Sequence, residues 1–298
     1  MKVGLIGAGA VGSVIAQRLH TCCTFFLIAD RKRKAYYQEG GIYINDEPYF
    51  FPCRTREEAI SADIIILAVK NYQLANAMDE IAPFVGENTI LISLLNGVES
   101  EEKLELRFPF AKTLYAFIKG VSSNKEFNRI TYFSSGTVVF GEKDNKISES
   151  VKTVQALFEK AGIDYEIPQN ILHEMWWKFM LNCCFNTISA ILLTPYSKIC
   201  TNESFFRASR MACSEILKVA KSEGVDLNGE DVNKLIFVMQ QLSDDGKTSM
   251  LQDMEAGRKS ENDFFCGTVI RLGKKHRIET PVCSFLYQLL EAASYARS

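Results

Sequence analysis

The stretch "KVGLIGAGAVGSVIAQRL", Lys2 to Leu19, decides the fold. A short apolar run leads into Gly7-Ala8-Gly9-Ala10-Val11-Gly12, and an amphipathic stretch follows directly. Strand, G-x-G-x-x-G turn and helix in that order form the opening unit of a dinucleotide-binding α/β sheet. The first glycine permits a tight turn, the second lets a pyrophosphate approach the backbone, and the third allows helix and strand to pack closely. The helix start adds unpaired N–H groups and a partial positive charge. A lone glycine motif is a weak signal, and a glycine-rich turn without a ligand is the plain alternative. Here the strand, the helix, the N-terminal position and an acid after the next strand all agree.

Outward from that unit, apolar strand-like runs alternate with helical ones. "FFLIAD" reads as a second strand, "SADIIILAVK" as a buried strand and "NTILISLLNG" as another. "NYQLANAMDEIAPFV" between them is helical, with Leu74, Met78 and Ile81 on one stripe. Such alternation predicts an α/β, Rossmann-type, doubly wound parallel sheet. "TLYAFIKGVSS" and "GTVVFGE" extend it. From about residue 169 only helical patterns follow, among them "ESFFRASRMACSEILKVAKSEG" and "CSFLYQLLEAASY". The expected division is a dinucleotide-binding domain over 1–168 and an all-helical substrate and catalytic domain over 169–298.

The 298 residues are 47% hydrophobic and 23% charged, with a formal net charge of -2. This is ordinary globular composition, with no basic bias towards nucleic acid or an anionic membrane. No apolar run approaches the ~20 residues of a spanning helix. The N-terminus reads as a first strand rather than a signal peptide. The nine cysteines show no C-x-x-C spacing and sit mostly in apolar surroundings. A reduced, cytoplasmic chain is therefore expected, without a disulfide framework. Three scattered histidines make no metal site, so no metal is expected.

Asp30 follows the second strand, where an acid binds a ribose and favours NAD. Arg31, Lys32 and Arg33 come next, and clustered cations suit a 2′-phosphate. The balance favours NADP(H), with NAD(H) admitted because of Asp30. A solvated helix start would carry the same cations. Lys70 and Asn96 close two buried strands at the carboxyl edge, where open α/β sheets bind ligands. Both are candidates to face cofactor or substrate; the alternatives are a solvent lysine and a simple Asn-Gly turn.

"HEMWWKFMLNCCFN" is an apolar helix that carries Lys178, Asn182 and Asn186 at intervals of four. Successive members advance only ~40°, so they form a narrow polar line. The line could be a snorkelling lysine beside a structural ladder. Alternatively, a lysine in an apolar setting protonates a developing alkoxide, and asparagines orient a hydroxyl or carboxylate.

The chain resembles the ketopantoate reductase (2-dehydropantoate 2-reductase) family. The motifs are "GLIGAGAVG", "AVKNYQL", "LLNGVES", "WWKFMLNCCFN", "TSMLQDMEAGRKSEND" and "RIETPV", in family order along nearly the whole chain. Two departures are Leu95, where the family often carries Gln, and Asp30. The resemblance implies a Rossmann domain, a helical domain and a substrate cleft between them. It also implies NADPH-dependent reduction of ketopantoate to pantoate in pantothenate synthesis. Lys178 would be the general acid. Asn96, Asn182, Asn186 and Ser249 would hold the substrate, and Glu261 would support the reactive site and the cofactor. The partner would be a small 2-oxo acid; a homodimer is left open.

Three other functions compete: a dehydrogenase for another small hydroxy acid, a non-enzymatic dinucleotide sensor, and redox regulation through Cys183 and Cys184. Ser249 also opens an S-x-x-Q capping box, and Ser260 could cap a helix that has Glu261 in its first turn. On one straight helix Ser249 and Glu261 would lie ~18 Å apart, so a break within 256–260 is expected, with Gly257 as its cap.

Overall fold

The computed structural model describes residues 1–242 and 246–297, apart from the side chain of Asn124. They form two compact units, Met1–Ile171 and Leu172–Ser298.

In the first unit, strands β1 (Lys2–Ile6), β2 (Thr24–Ile28), β3 (Ile42–Ile44), β4 (Glu47–Tyr49), β5 (Cys53–Arg54), β6 (Ile64–Leu67), β7 (Ile90–Ser93), β8 (Lys112–Glu126), β9 (Arg129–Gly141) and β10 (Tyr165–Glu166) join one sheet. Its order is β4-β3-β9-β8-β7-β6-β1-β2-β5, with β10 beside β9. The run from β8 to β5 is parallel throughout. β9 returns antiparallel to β8, which closes the parallel part. Strand order reverses at β1, with β2 on one side and β6 on the other, and such a reversal opens a crevice at the carboxyl edge.

Alternate residues of each central strand feed opposite cores, as expected for a sheet covered on both faces. Val3, Leu5, Ile64 and Ile66 pack with helices α1 (Ala10–Leu19) and, later in the chain, α5 (Glu149–Ala161). Ile6, Ile65 and Leu67 pack on the other face with α3 (Leu74–Ile81) and α4 (Ser100–Arg107). Helix α2 (Arg31–Gly40) buries none of its residues and lies on the rim. The sheet is therefore the doubly wound one. The short strands of segment 42–54 were not expected, because Pro48 and the polar "NDE" hide any apolar alternation.

The second unit is helical: α6 (Ile171–Leu181), α7 (Thr187–Leu192), α8 (Tyr196–Ile199), α9 (Glu203–Ser222), α10 (Gly229–Gln240), α11 (Ser249–Glu255), α12 (Cys266–His276) and α13 (Pro281–Tyr295). The long α9 is its spine. Glu215, buried in α9, accepts the backbone N–H groups of Val282 and Cys283 at 2.8 and 2.9 Å. It thus satisfies orphan donors at the start of α13 and fixes that helix to the spine. No helix among the described residues is long and apolar enough to cross a membrane.

Candidate active site

The three motif glycines answer to different constraints. Gly7 has φ +102°, and a Cβ there would lie 2.5 Å from the Ala68 carbonyl oxygen. At Gly12 a Cβ would lie 1.8 Å from the Gly7 oxygen. Both glycines are required by the packing of α1 on β1 and β6. Gly9 is different: its nearest neighbour would be the Ala68 oxygen at 4.0 Å. Nothing in the protein fills that space, so the absence of a side chain leaves room for a ligand. Gly9 also occupies the cap position of α1 and makes no side-chain capping bond. A side-chain-free cap at a helix start fits the pyrophosphate of a dinucleotide.

Asp30 caps α2, accepting the Arg33 N–H at 2.8 Å. This capping role was not foreseen, and it leaves the carboxylate exposed at the rim. Arg31 lies 3.6 Å from Glu57, and Lys34 donates to Glu58 at 2.6 Å. Lys32 is exposed. Arg31, Lys34, Gln38, Thr55, Glu57 and Glu58 line a cavity of about 320 Å³. Cations and acids share its walls.

Lys70 and Asn96 are both half-buried at the carboxyl edge, after β6 and β7. A residue that sequence reasoning passed over joins their loops: Asn71 donates from Nδ2 to the Asn96 carbonyl at 2.7 Å. Behind Asn96, Ser93 and Ser100 share a hydroxyl contact of 2.8 Å, and Ser100 donates to Glu101 at 2.9 Å. Glu101 is buried, and burial pushes its carboxyl up to about 7.

In the second unit the polar line is carried on a deformed helix. Between α6 and α7 the chain passes through a π-helical turn, Asn182–Asn186. Such single-turn widenings frequently occur at functional sites. The turn contains both asparagines, and Asn186 donates from Nδ2 to Asn182 Oδ1 at 2.8 Å. Both side chains are buried, while Lys178, one turn earlier, is half-buried. No pattern of residue types announced the π turn.

The expected interruption after Ser249 is present. α11 ends at Glu255, and Gly257 takes the left-handed conformation at φ +61°. Arg258 folds back, donating to the Asp253 carboxylate at 2.8 Å. Two details differ from expectation. The cap of α11 is Thr248, not Ser249: its hydroxyl accepts the Leu251 N–H at 3.1 Å and donates to Ser189. Ser249 is the first helical residue and is exposed. Nor does Ser260 cap a helix; the buried Glu261 itself precedes a 3₁₀ turn, Asn262–Phe264. Asn262 anchors this turn by donating to the Tyr287 carbonyl and Glu291 at 3.0 and 2.8 Å.

Comparison with known proteins gives the family. Residues 3–145 match the model of the family described as ketopantoate reductase PanE/ApbA, and 170–294 match that of its C-terminal domain. The chain belongs to the ketopantoate reductase family. An uncharacterized oxidoreductase of Bacillus subtilis, YkpB, is 28% identical over 98% of both chains. A 2-dehydropantoate 2-reductase of Pyrococcus horikoshii is 27% identical over 98% of this chain and 97% of its own. Among solved structures, 2-dehydropantoate 2-reductase from Methylococcus capsulatus superposes with a TM-score of 0.86 at 26% identity, covering 100% of this chain and 98% of that one. D-mandelate dehydrogenase in complex with NADH shares the fold, with a TM-score of 0.89 at 24% identity and full coverage of both chains.

As a member of this family the chain is an oxidoreductase. Its cysteines are all free thiols, and burial pushes those of Cys183 and Cys184 well above their ordinary range. A thiolate is the reactive form, so the burial of this pair counts against the redox reading. Among the described residues no group of three or more His, Cys, Asp or Glu could hold a metal ion.

Proposed function

We propose that this ketopantoate reductase family member reduces a 2-oxo acid with a nicotinamide cofactor, 2-dehydropantoate to pantoate being the reaction favoured. The observation that carries the reading is the buried, hydrogen-bonded Asn182–Asn186 pair in a π turn one helical turn beyond Lys178. A structural ladder needs no such distortion, and a dinucleotide sensor needs no such line.

The roles divide between the units. Gly7 to Gly12 hold the pyrophosphate, and Gly9 keeps its seat clear. Arg31 and Lys32 favour the 2′-phosphate of NADP(H), while Asp30 leaves NAD(H) as the second option. Lys70 and Asn96, tied together through Asn71, line the cofactor's reactive end. When bound, the cofactor supplies a hydride to the keto carbon of the substrate. Lys178 donates the proton that the resulting alkoxide takes up, since an ammonium is both acid and counter-charge. Asn182, Asn186 and Ser249 hold the substrate's hydroxyl and carboxylate oxygens. Glu261, on its anchored turn, supports the lysine's charged form.

A substrate screen tests this directly. Purified protein should oxidise NADPH faster than NADH in the presence of 2-dehydropantoate, and faster with it than with phenylglyoxylate or pyruvate. A preference for phenylglyoxylate with NADH would favour the hydroxy acid dehydrogenase reading instead. Its structural motive here is the exposed Asp30 at the rim.

A further inference from the structure

We infer that Lys125, on the β8–β9 hairpin, is a cofactor-binding residue that clamps the pyrophosphate; this rests on the dinucleotide reading above. Lys125 donates from Nζ to the Ala8 carbonyl at 3.1 Å, across 117 residues of chain. Ala8 is the second residue of the glycine motif. The contact therefore places the ammonium within about 5.5 Å of the Gly9 amide nitrogen, beside the space that Gly9 leaves open.

The hairpin is built to reach that point. Its ladder has an irregular register at Ser122 and Ser123, and Gly120 and Gly136 both have positive φ, at +71° and +73°. A Cβ on Gly136 would lie 2.6 Å from the Lys119 oxygen, so the bend requires glycine there. Beyond the bend, the hairpin is fastened to α1. Tyr132 donates to Gln17 Oε1 at 3.0 Å, and Gln17 Nε2 donates to the Tyr49 hydroxyl at 2.8 Å. These neutral bonds already fix the strand pair to the helix. A doubly anionic group at the adjacent helix start would lie within short range of the Lys125 ammonium and accept charge-assisted bonds from it.

The clamp acts on the pyrophosphate and not on the rest of the cofactor, which sets the test. Dissociation constants of NADPH, NADH, ADP and adenosine are measured by fluorescence or calorimetry for the wild type, Lys125→Met and Lys125→Arg. Lys125→Met should weaken NADPH, NADH and ADP by a common factor of roughly tenfold at low salt. The factor should shrink as salt screens the charge. Adenosine should bind both forms alike, and Lys125→Arg should restore most of the loss. Unchanged binding in Lys125→Met, or an equal loss for adenosine, would overturn the clamp while leaving the dinucleotide reading intact. Failure of the wild type to bind either dinucleotide would instead overturn both.

Discussion

The two units present their polar chemistry in opposite ways. In the first, the proposed ligand seat is backbone without side chains: Gly7 and Gly12 are forced by contacts of 2.5 and 1.8 Å that any Cβ would make, and Gly9 is left open. In the second, the proposed chemistry lies in side chains, two of them carried on a π turn. A backbone seat binds any dinucleotide through features common to the fold, whereas a side-chain line is specific to one reaction. On the proposed reading, generic binding lies in one unit and chemical identity in the other.

The first unit's glycines offer the largest effects. Gly12→Ala should abolish stable folding or lower Tm by more than 10 °C, because its Cβ meets rigid backbone. Gly9→Ala should leave Tm within about 2 °C and yet weaken cofactor binding. Thermal melts with and without NADPH distinguish the two. Equal destabilisation by both would mean that Gly9 serves the fold and that the open seat is not a ligand's.

Glu101 gives the next effect. Its carboxyl titrates near 7 when folded, against the ordinary 4.5, because burial favours the neutral form. Between those values the folded chain holds a proton that the unfolded chain has released. The stability associated with the neutral form is therefore complete below pH 4.5 and is lost as pH rises through 7. Glu101→Gln should be more stable than wild type at pH 8, by on the order of 3 kcal/mol, with the gain fading towards pH 4.5. Denaturation at both values checks it; a pH-independent difference would disprove the assignment.

A smaller effect is expected in the second unit. Asn182→Ala removes the acceptor of Asn186 Nδ2 and should cost about 1–3 kcal/mol of stability, as for a buried donor left unmatched. It should also raise KM for the 2-oxo acid while cofactor affinity is unchanged. A double-mutant cycle with Asn186→Ala should show coupling; strict additivity would separate the two residues.

The contrast also explains what could be seen in the sequence. "GLIGAGAVG" was legible because strand, glycine spacing and helix start are adjacent in sequence, although the Ala68 oxygen that constrains Gly7 comes from a distant segment. Buried parallel strands such as "IIIL" were legible from unbroken apolar runs, and the interruption near Gly257 from its left-handed capping habit. The spacing of Lys178, Asn182 and Asn186 suggested one face of a regular helix but could not show the π turn, in which Cys183 to Phe185 are buried. Thr248 and Ser249 are adjacent potential caps, and only the contact of Thr248 with Ser189 decides between them. Lys125 and Asn71 carried no local signal, since their partners lie 117 and 25 residues away.

The most direct measurement is the turnover of wild type and Lys178→Ala with 2-dehydropantoate and NADPH, alongside the NADPH dissociation constant of each. Loss of a general acid should lower kcat by on the order of 10² or more and leave cofactor affinity intact. A kcat within threefold of wild type would contradict the account and return Lys178 to the role of a snorkelling lysine on an apolar helix.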